Sequence, residues 1–170
     1  PLLINASSNI AVDASSPNIH ADTIGKSSFV IKVTSPFTIV NGTVTGSVYK
    51  LAESDSIEIF FSKDSINWKS ITLVAGTGSL MDSIALYNYI KPVLGGGPTF
   101  FYYLKFILTP SSSNLDCGID SLEINTTFQV SRFFMPHLKL GVNQIEYTDQ
   151  NNDSANMQIN FQWQETTSNN

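Results

Sequence analysis

Hydrophobic and polar residues alternate with a period of two along most of this chain, and no long segment repeats with the period of a helix. Such alternation is typical of strands with one buried and one solvated face. The strongest predicted strand is TFFYYLKFILT at 99–109, with Phe100 and every second residue after it facing inward. Further strands are predicted at 28–35, 42–51, 56–62, 121–131, 143–149 and 156–165. Inside the 42–51 strand, Gly46 predicts a bulge or a close backbone approach.

Segments rich in Gly, Pro, Asn, Asp and Ser separate these strands, at the places where turns are needed. Eight to eleven short strands with regular turns predict an all-β fold, and we expect an antiparallel β-sandwich, jelly-roll-like in its strand order. Only 79–94 hints at a helical turn, and irregular structure is expected there. No repeat or boundary divides the chain, so 1–170 is predicted to be one module with an ordered core at about 10–165. Because the chain does not begin with Met, we expect a module excised from a larger multidomain protein.

Charged residues make up only 14% of the chain, and the formal net charge is −5. A nucleic-acid-binding protein needs clustered basic residues, which are not visible here, so that class of partner is excluded. An anionic polysaccharide is disfavoured for the same reason, but less strongly, since one or two cations in a groove can suffice. Hydroxyl and amide side chains replace the missing ions, which favours an extracellular or cell-surface β-protein. No apolar run is long enough to span a membrane as a helix.

The stretch SIEIFFSKDSINWKSI, residues 56–71, reads as a strand, a polar turn and a second strand opened by Trp68. Its Ser62, Asp64 and Trp68 resemble the S-x-D-G-x-x-W hairpin of discoidin-like and galactose-binding-like β-sandwich modules, with Ser65 where Gly is usual. The phrase FMPHLKLGVNQIEYTD at 134–149 resembles accessory sandwich modules beside polysaccharide lyases and glycoside hydrolases. This resemblance implies a carbohydrate-binding or spacer module of a secreted polysaccharide-degrading protein.

Two carbohydrate sites are candidates, because sugar sites combine aromatic platforms with amide and carboxylate groups. The first is a predicted loop that carries Asp82, Tyr87, Asn88 and Tyr89; packing of the loop on the sandwich is the alternative. The second is the solvated face of a sheet, where a contact with an adjoining domain is the alternative. Its candidate residues are Phe60, Tyr103, Lys105, Gln129, Gln158 and Gln162. Trp68 is either part of the core or a sugar-stacking platform.

No catalytic motif is present, and the two histidines, His20 and His137, lie in unrelated contexts, so an enzyme is not expected. Asp149, Asn151 and Asp153 have the alternate spacing of hard oxygen ligands and could hold a structural calcium ion, or simply form a hairpin turn. The segment 114–120 is a weaker calcium candidate. Its Cys117 is the only cysteine and is expected to be a small buried hydrophobe. The expected function is non-catalytic binding of a polysaccharide or glycan. The alternative is a structural or adhesion module that packs on a neighbouring catalytic domain.

Overall fold

The segments with alternating hydrophobicity between 28 and 129 form strands in the computed structural model, which describes residues 4–73, 76–91 and 97–130. All of these residues belong to one compact unit, 2–138. The elements within the described ranges are β1 (Ile4–Ser8), β2 (Ile10–Val12), β3 (Ile19–Ala21), β4 (Ser27–Lys50), β5 (Ser56–Ser62), β6 (Lys69–Leu73), β7 (Gly78–Ala85), α1 (Tyr87–Ile90), β8 (Thr99–Thr109) and β9 (Cys117–Gln129). In this part of the chain no helix is long and apolar enough to cross a membrane.

Strand β4 is 24 residues long and changes its partners halfway along. Its first part pairs with β1 and β8, and its second part pairs with β9 and β7. The change coincides with a register shift against β8 between Thr34 and Ile39. Pro36 lies in this interval, and proline has no backbone N–H to donate to a ladder. The next amide, that of Phe37, instead donates to the hydroxyl of Ser35 at 2.9 Å.

Because β4 serves both halves, the antiparallel sheet is divided into two layers. The first layer runs β1, the first part of β4, β8, β5 and β6; the second runs β7, the second part of β4, β9, β3 and β2. The inner sides of the two layers face each other across a small cavity of about 20 Å³. Ile59 and Phe106 line it from the first layer, and Val48, Ile119 and Leu122 line it from the second. The predicted all-β antiparallel fold is confirmed; the jelly-roll-like strand order stays a prediction.

The core is built by the alternation of β8 against the inner faces of its neighbours. Tyr102, Leu104 and Phe106 are all at most 1% exposed, as predicted. The ring of Phe106 stacks on Phe29 of β4 with 4.8 Å between centroids. Each fully buried side chain of this size contributes about 1.5–3 kcal/mol relative to leaving it in water. Phe100 was expected on the same face but is 43% exposed, because β8 has lost its regular pairing with β4 at that end.

Several boundaries differ from the prediction. The segments 28–35 and 42–51 are parts of one strand, because Pro36 shifts the register without ending the pairing. Strand β9 begins four residues earlier than predicted. Its Phe128 lies on the face that the alternation of 121–131 predicts to be buried, but it is 43% exposed. The predicted strands 143–149 and 156–165 lie outside the described residues. The single module 1–170 therefore stays a prediction.

The segment 79–94 was predicted to hold a helical turn in otherwise irregular structure. The helical turn is present as α1, but residues 79–85 belong to strand β7, so the prediction of irregular structure was wrong for them. The letters SLMDSIA show no clean alternation of apolar and polar residues, so the strand was not recognised. The prediction for Gly46 is confirmed: a Cβ there would lie 2.9 Å from the carbonyl oxygen of Ser121, beside a register shift between β4 and β9.

Candidate functional site

The hairpin that precedes Trp68 is held by one carboxylate. Asp64 Oδ1 accepts hydrogen bonds from the amides of Ile66 and Asn67 at 2.9 and 2.7 Å, and from the Ser62 hydroxyl at 2.9 Å. Asp64 Oδ2 accepts a bond from the Asn67 side chain at 2.6 Å. These bonds, led by those from Asn67, hold the pKa of Asp64 well below its usual range. Ser65 adopts φ +62°, the left-handed conformation for which the resembling hairpins use Gly.

After this turn, Trp68 lies on the outer face of the first layer rather than in the core. Its side chain is only partly buried, and it is not among the residues of the central apolar cluster. The ammonium of Lys105 lies 4.2 Å from the indole centroid and 5.3 Å from the ring centroid of Phe60. Lys105 and Phe60 are direct cross-strand partners on β8 and β5. One lysine is therefore held between two aromatic rings.

A second lysine, on the neighbouring strand β4, is also held by two aromatic rings. Lys32 of β4 is the cross-strand partner of Tyr103, and its ammonium lies 5.6 Å from the Tyr103 ring centroid. The same ammonium lies 5.2 Å from the ring centroid of Phe101, which is 42% exposed. The two rings meet edge to face, with 5.9 Å between centroids. Phe101, Tyr103 and Lys105 alternate along one strand, so all three point outward.

We call this surface the aromatic–lysine face, and it extends over strands β4, β8 and β5 of the first layer and over Trp68, which directly precedes β6. Its residues are Lys32, Phe60, Trp68, Phe101, Tyr103 and Lys105. A sheet face gives these side chains a fixed spacing, because the ladders of β4, β8 and β5 set their positions. The arrangement offers flat apolar rings beside hydrogen-bond donors that carry a positive charge.

The ammonium of Lys105 is partly removed from water and lies near a second cation. Desolvation and the charge of Lys26 both lower the pKa of Lys105. Among the described residues, no carboxylate oxygen lies within 4.0 Å of the ammonium of Lys32 or Lys105. Lys105 and Lys32 therefore have aromatic rings, and no carboxylate of the described residues, as their close partners.

The first candidate site, around α1, is only partly assembled. Tyr87 is 54% exposed, with the Lys91 ammonium 5.6 Å from its ring centroid, and Asn88 is exposed as well. Tyr89 instead packs on the core, with its ring 5.6 Å from that of buried Phe61. Asp82 was expected on the same loop but lies on strand β7, as the partner of Gly46, and its side chain is not described. The predicted cluster is thus one exposed ring with one exposed amide.

Three of the six residues predicted for the second candidate site lie together on one sheet face. Phe60, Tyr103 and Lys105 share the aromatic–lysine face. Gln129 was expected beside them but lies at the end of β9, paired with Thr38 in the second layer. Gln158 and Gln162 lie outside the described residues. Sequence reasoning missed Lys32 and Phe101, although the outward alternation of Phe101 with Tyr103 and Lys105 was visible in the sequence.

Two reactive side chains of the second layer are structural. His20 is 3% exposed, with Nε2 2.9 Å from Asp13 Oδ2 and Nδ1 2.7 Å from the Ala21 carbonyl oxygen. Cys117 is fully buried as predicted, and burial, the main cause, raises the pKa of its thiol to about 11. Neither residue faces the aromatic–lysine face, so neither offers it a nucleophile or a base.

No metal site is found within the described ranges, where no group of three or more His, Cys, Asp or Glu side chains could hold an ion. Asp149, Asn151 and Asp153, the predicted calcium ligands, lie outside those ranges. In the weaker candidate segment 114–120, Asp116 Oδ2 accepts the amides of Ser112 and Ser113 at 3.0 and 2.7 Å. That carboxylate therefore closes a turn.

Comparison with known proteins yields likenesses to solved structures. No protein-family model matches the chain, and no curated protein matches it. Among solved structures, the chain is similar to TmCBM61, a protein solved in complex with β-1,4-galactotriose at 1.4 Å resolution. The likeness has a TM-score of 0.48 at 10% sequence identity, and it covers 73% of this chain and 86% of TmCBM61.

Proposed function

We propose that this chain is a non-catalytic carbohydrate-binding module and that the aromatic–lysine face holds a polysaccharide. The observation that supports the proposal is the pair of ring-held ammonium groups, Lys32 and Lys105, on an outer sheet face with Trp68. Buried aromatic residues stabilise a core, but partly exposed rings rimmed by polar groups mark binding surfaces. The galactose-binding-like relationship and an extracellular location belong to the same proposal.

The chemistry of the face suits a sugar chain. The C–H side of a pyranose ring packs on an aromatic face, while its hydroxyl groups accept hydrogen bonds from ammonium donors. From Phe101 to Lys105 the outward side chains of β8 span about 13 Å, at about 3.3 Å per residue. Trp68 extends the face sideways beyond β5, since it contacts Lys105 across that strand. A surface of this length accommodates several consecutive sugar units rather than one.

The number of carboxyl groups on this face favours binding over hydrolysis. Most glycoside hydrolases need two carboxyl groups that face each other across the scissile bond. Among the described residues, the outward positions of β4, β5 and β8 in the first layer carry one carboxylate, that of Glu58 on β5. A lone carboxylate on a sheet face provides no acid–base pair.

A contact with a neighbouring domain is the second candidate function. It is favoured by the exposure of large apolar rings away from the lysines, at Phe100 and Phe128, each 43% exposed. Such a contact would use flat apolar area and would not respond to sugars. The two functions therefore predict opposite results in a glycan-binding assay.

The decisive experiment measures binding of the full chain to immobilised plant, algal and host polysaccharides, including a β-1,4-galactan. Trp68→Ala is expected to weaken the affinity at least about fivefold, because truncating an anchoring aromatic residue removes a major part of the binding energy. Trp68→Phe, which keeps a ring, should retain part of the affinity. Phe128→Ala is the matched control, since it removes an exposed ring from the other layer.

The same assay tests the other predicted sites. Tyr87→Ala reports on α1, and added EDTA reports on the calcium ligands proposed at Asp149, Asn151 and Asp153. Circular dichroism and thermal unfolding of each variant separate a loss of binding from a loss of fold. Absence of binding to every glycan by the folded wild-type chain contradicts the proposed function and favours the domain contact.

A further inference from the structure

Several of the few cations of this acidic chain lie close together on one sheet face. The formal net charge is −5, with only nine Lys and Arg among 170 residues. Two of these nine, Lys32 and Lys105, lie on the aromatic–lysine face, and Lys26 is close enough to Lys105 to act on it electrostatically. An acidic chain thus carries a local basic strip. The electrostatic potential of such a cluster of lysines attracts anionic ligands at short range, even when the net charge of the protein is negative.

The cations of this strip have no close carboxylate among the described residues. No carboxylate oxygen of that part of the chain lies within 4.0 Å of the ammonium of Lys26, Lys32 or Lys105. Lys105 is partly desolvated, which is unfavourable for a cation that has a like charge nearby, and the outward carboxylate of Glu58, its diagonal neighbour on β5, is not within 4.0 Å of it. The Phe60 and Trp68 rings offset part of this cost. A ligand carboxylate at this position would offset the rest.

The aromatic rings also restrict the positions of the Lys32 and Lys105 ammonium groups. Lys105 is the cross-strand partner of Val30, and Lys32 follows two residues later on the same strand, so the two lysines are diagonal neighbours. The Cα atoms of diagonal neighbours on antiparallel strands lie about 7–8 Å apart, and here the two ammonium groups lie over different pairs of rings. Each ammonium is held by two rings, which restricts the freedom that a surface lysine normally has. The face therefore presents two spaced positive charges beside flat apolar surfaces.

We infer that the polysaccharide bound by the aromatic–lysine face is acidic, and that Lys32 and Lys105 bind carboxylates of its uronic acid units while the rings pack on the sugar faces. The inference rests on the proposed function and narrows its ligand class. A carboxylate on a sugar ring supplies apolar C–H surface and charge together, which matches rings and ammonium groups side by side. A glycan with several sulfate groups per sugar unit is disfavoured more strongly than one with a single carboxylate per unit, because the negative net charge of the chain repels the denser polyanion more.

The test compares ligands that share one backbone and differ only in charge. Oligogalacturonates and their methyl esters are titrated into the full chain by calorimetry, at low salt and at high salt. Neutral galactan oligosaccharides and a sulfated glycan are measured in parallel. We expect the free acid to bind more tightly than its ester, and we expect added salt to reduce this difference.

The lysine variants keep the aliphatic stem and remove the charge. Lys105→Met and Lys32→Met should each weaken binding of the free acid about three- to tenfold, with binding of the ester changed less than about twofold. Lys91→Met is the matched control, because it removes an ammonium 5.6 Å from the exposed Tyr87 ring, in α1. It should leave both affinities unchanged. Thermal unfolding of each variant confirms that the fold is intact.

Each remaining outcome overturns a defined part of the reasoning. Equal affinity for acid and ester, or binding of the neutral galactan alone, overturns the acidic ligand and leaves the proposed function standing. Preference for the sulfated glycan overturns the assignment to carboxylates. Loss of acid binding in Lys91→Met to the same extent as in Lys105→Met overturns the location. Binding of none of these ligands or of the wider panel overturns the proposed function itself.

Discussion

Asp55 connects two loops at the end of the sandwich, and its replacement gives a sharp test of how the fold is stabilised. The residue is 1% exposed and lies in the turn between β4 and β5. Its Oδ2 accepts the Ala52 amide at 2.8 Å, and its Oδ1 accepts the Ser111 amide at 2.8 Å. One carboxylate therefore fixes its own turn and the loop that follows β8.

The Asp55→Asn variant keeps the shape and removes the charge. The carboxamide has one acceptor oxygen, so either the Ala52 or the Ser111 amide faces an NH₂ group and loses its bond. A hydrogen bond to a charged group contributes about 1.5–3 kcal/mol, and the remaining bond is weakened as well. We therefore expect the free energy of unfolding at pH 7 to fall by about 2–4 kcal/mol, a large part of the 5–15 kcal/mol typical of a domain.

The difference should also depend on pH. Burial raises the pKa of Asp55, but the hydrogen bonds from Ser111 and Ala52 together lower it more, so the net pKa lies below its usual value. A carboxyl group of this kind stabilises the fold above its unfolded-state pKa, about 3.9, and loses that contribution as the pH falls through the lower folded-state value. The gap between wild type and Asp55→Asn should therefore shrink below about pH 4.

The assay is urea unfolding followed by circular dichroism at pH 7 and at pH 3. Asp22→Asn, at an exposed position, is the control and should change stability little at either pH. A gap below about 1 kcal/mol at pH 7 would mean that the two amide bonds do not carry the stability assigned to them. An undiminished gap at pH 3 would show that the charge is not the cause.

Three further predictions use the same unfolding or labelling measurements. Ser65→Gly should stabilise the fold by about 0.5–1 kcal/mol, because the left-handed φ of +62° costs a non-glycine residue more than glycine loses in entropy; a lower melting temperature would contradict this. Gly118→Ala should destabilise by about 2 kcal/mol or more, because its Cβ would lie 2.5 Å from the Ile19 carbonyl oxygen, whereas Gly97→Ala, with open space, should be neutral. Cys117 should resist alkylation at pH 8 until urea unfolds the chain, since its thiol is buried and its pKa is about 11; rapid labelling of the native chain, seen by mass spectrometry, would refute it.

The strands that the sequence predicted best are those whose alternation is regular. The bounds of β5 and β8 were predicted correctly, because strict alternation stops where the turn residues begin. Strand β7 was missed because its residues do not alternate. The continuity of β4 through Pro36 was missed because a proline between two strand patterns normally marks a break.

The candidate site was predictable in its parts and not in its assembly. Trp68, Tyr103 and Lys105 were each identified, and the hairpin motif pointed to Trp68 as a residue of interest. That the Lys105 ammonium lies between Trp68 and Phe60 depends on the pairing of β8 with β5. Lys32 joins the face only through the pairing of β4 with β8. Which strands become neighbours depends on contacts between segments far apart in the chain, and the local alternation of each strand does not specify them.

The shared strand β4 has a consequence for how the module folds. Its partners lie far away in the chain: Ser47 pairs with Ser121, and Ile31 pairs with Leu104. Closing such long loops costs chain entropy before any contact repays it, so folding of this topology is expected on the millisecond-to-second scale. Since β4 is hydrogen-bonded into both layers, neither layer can complete its sheet until β4 is in place. We expect a single kinetic phase in which both layers form together, and a fragment cut within β4 should have no stable structure of its own.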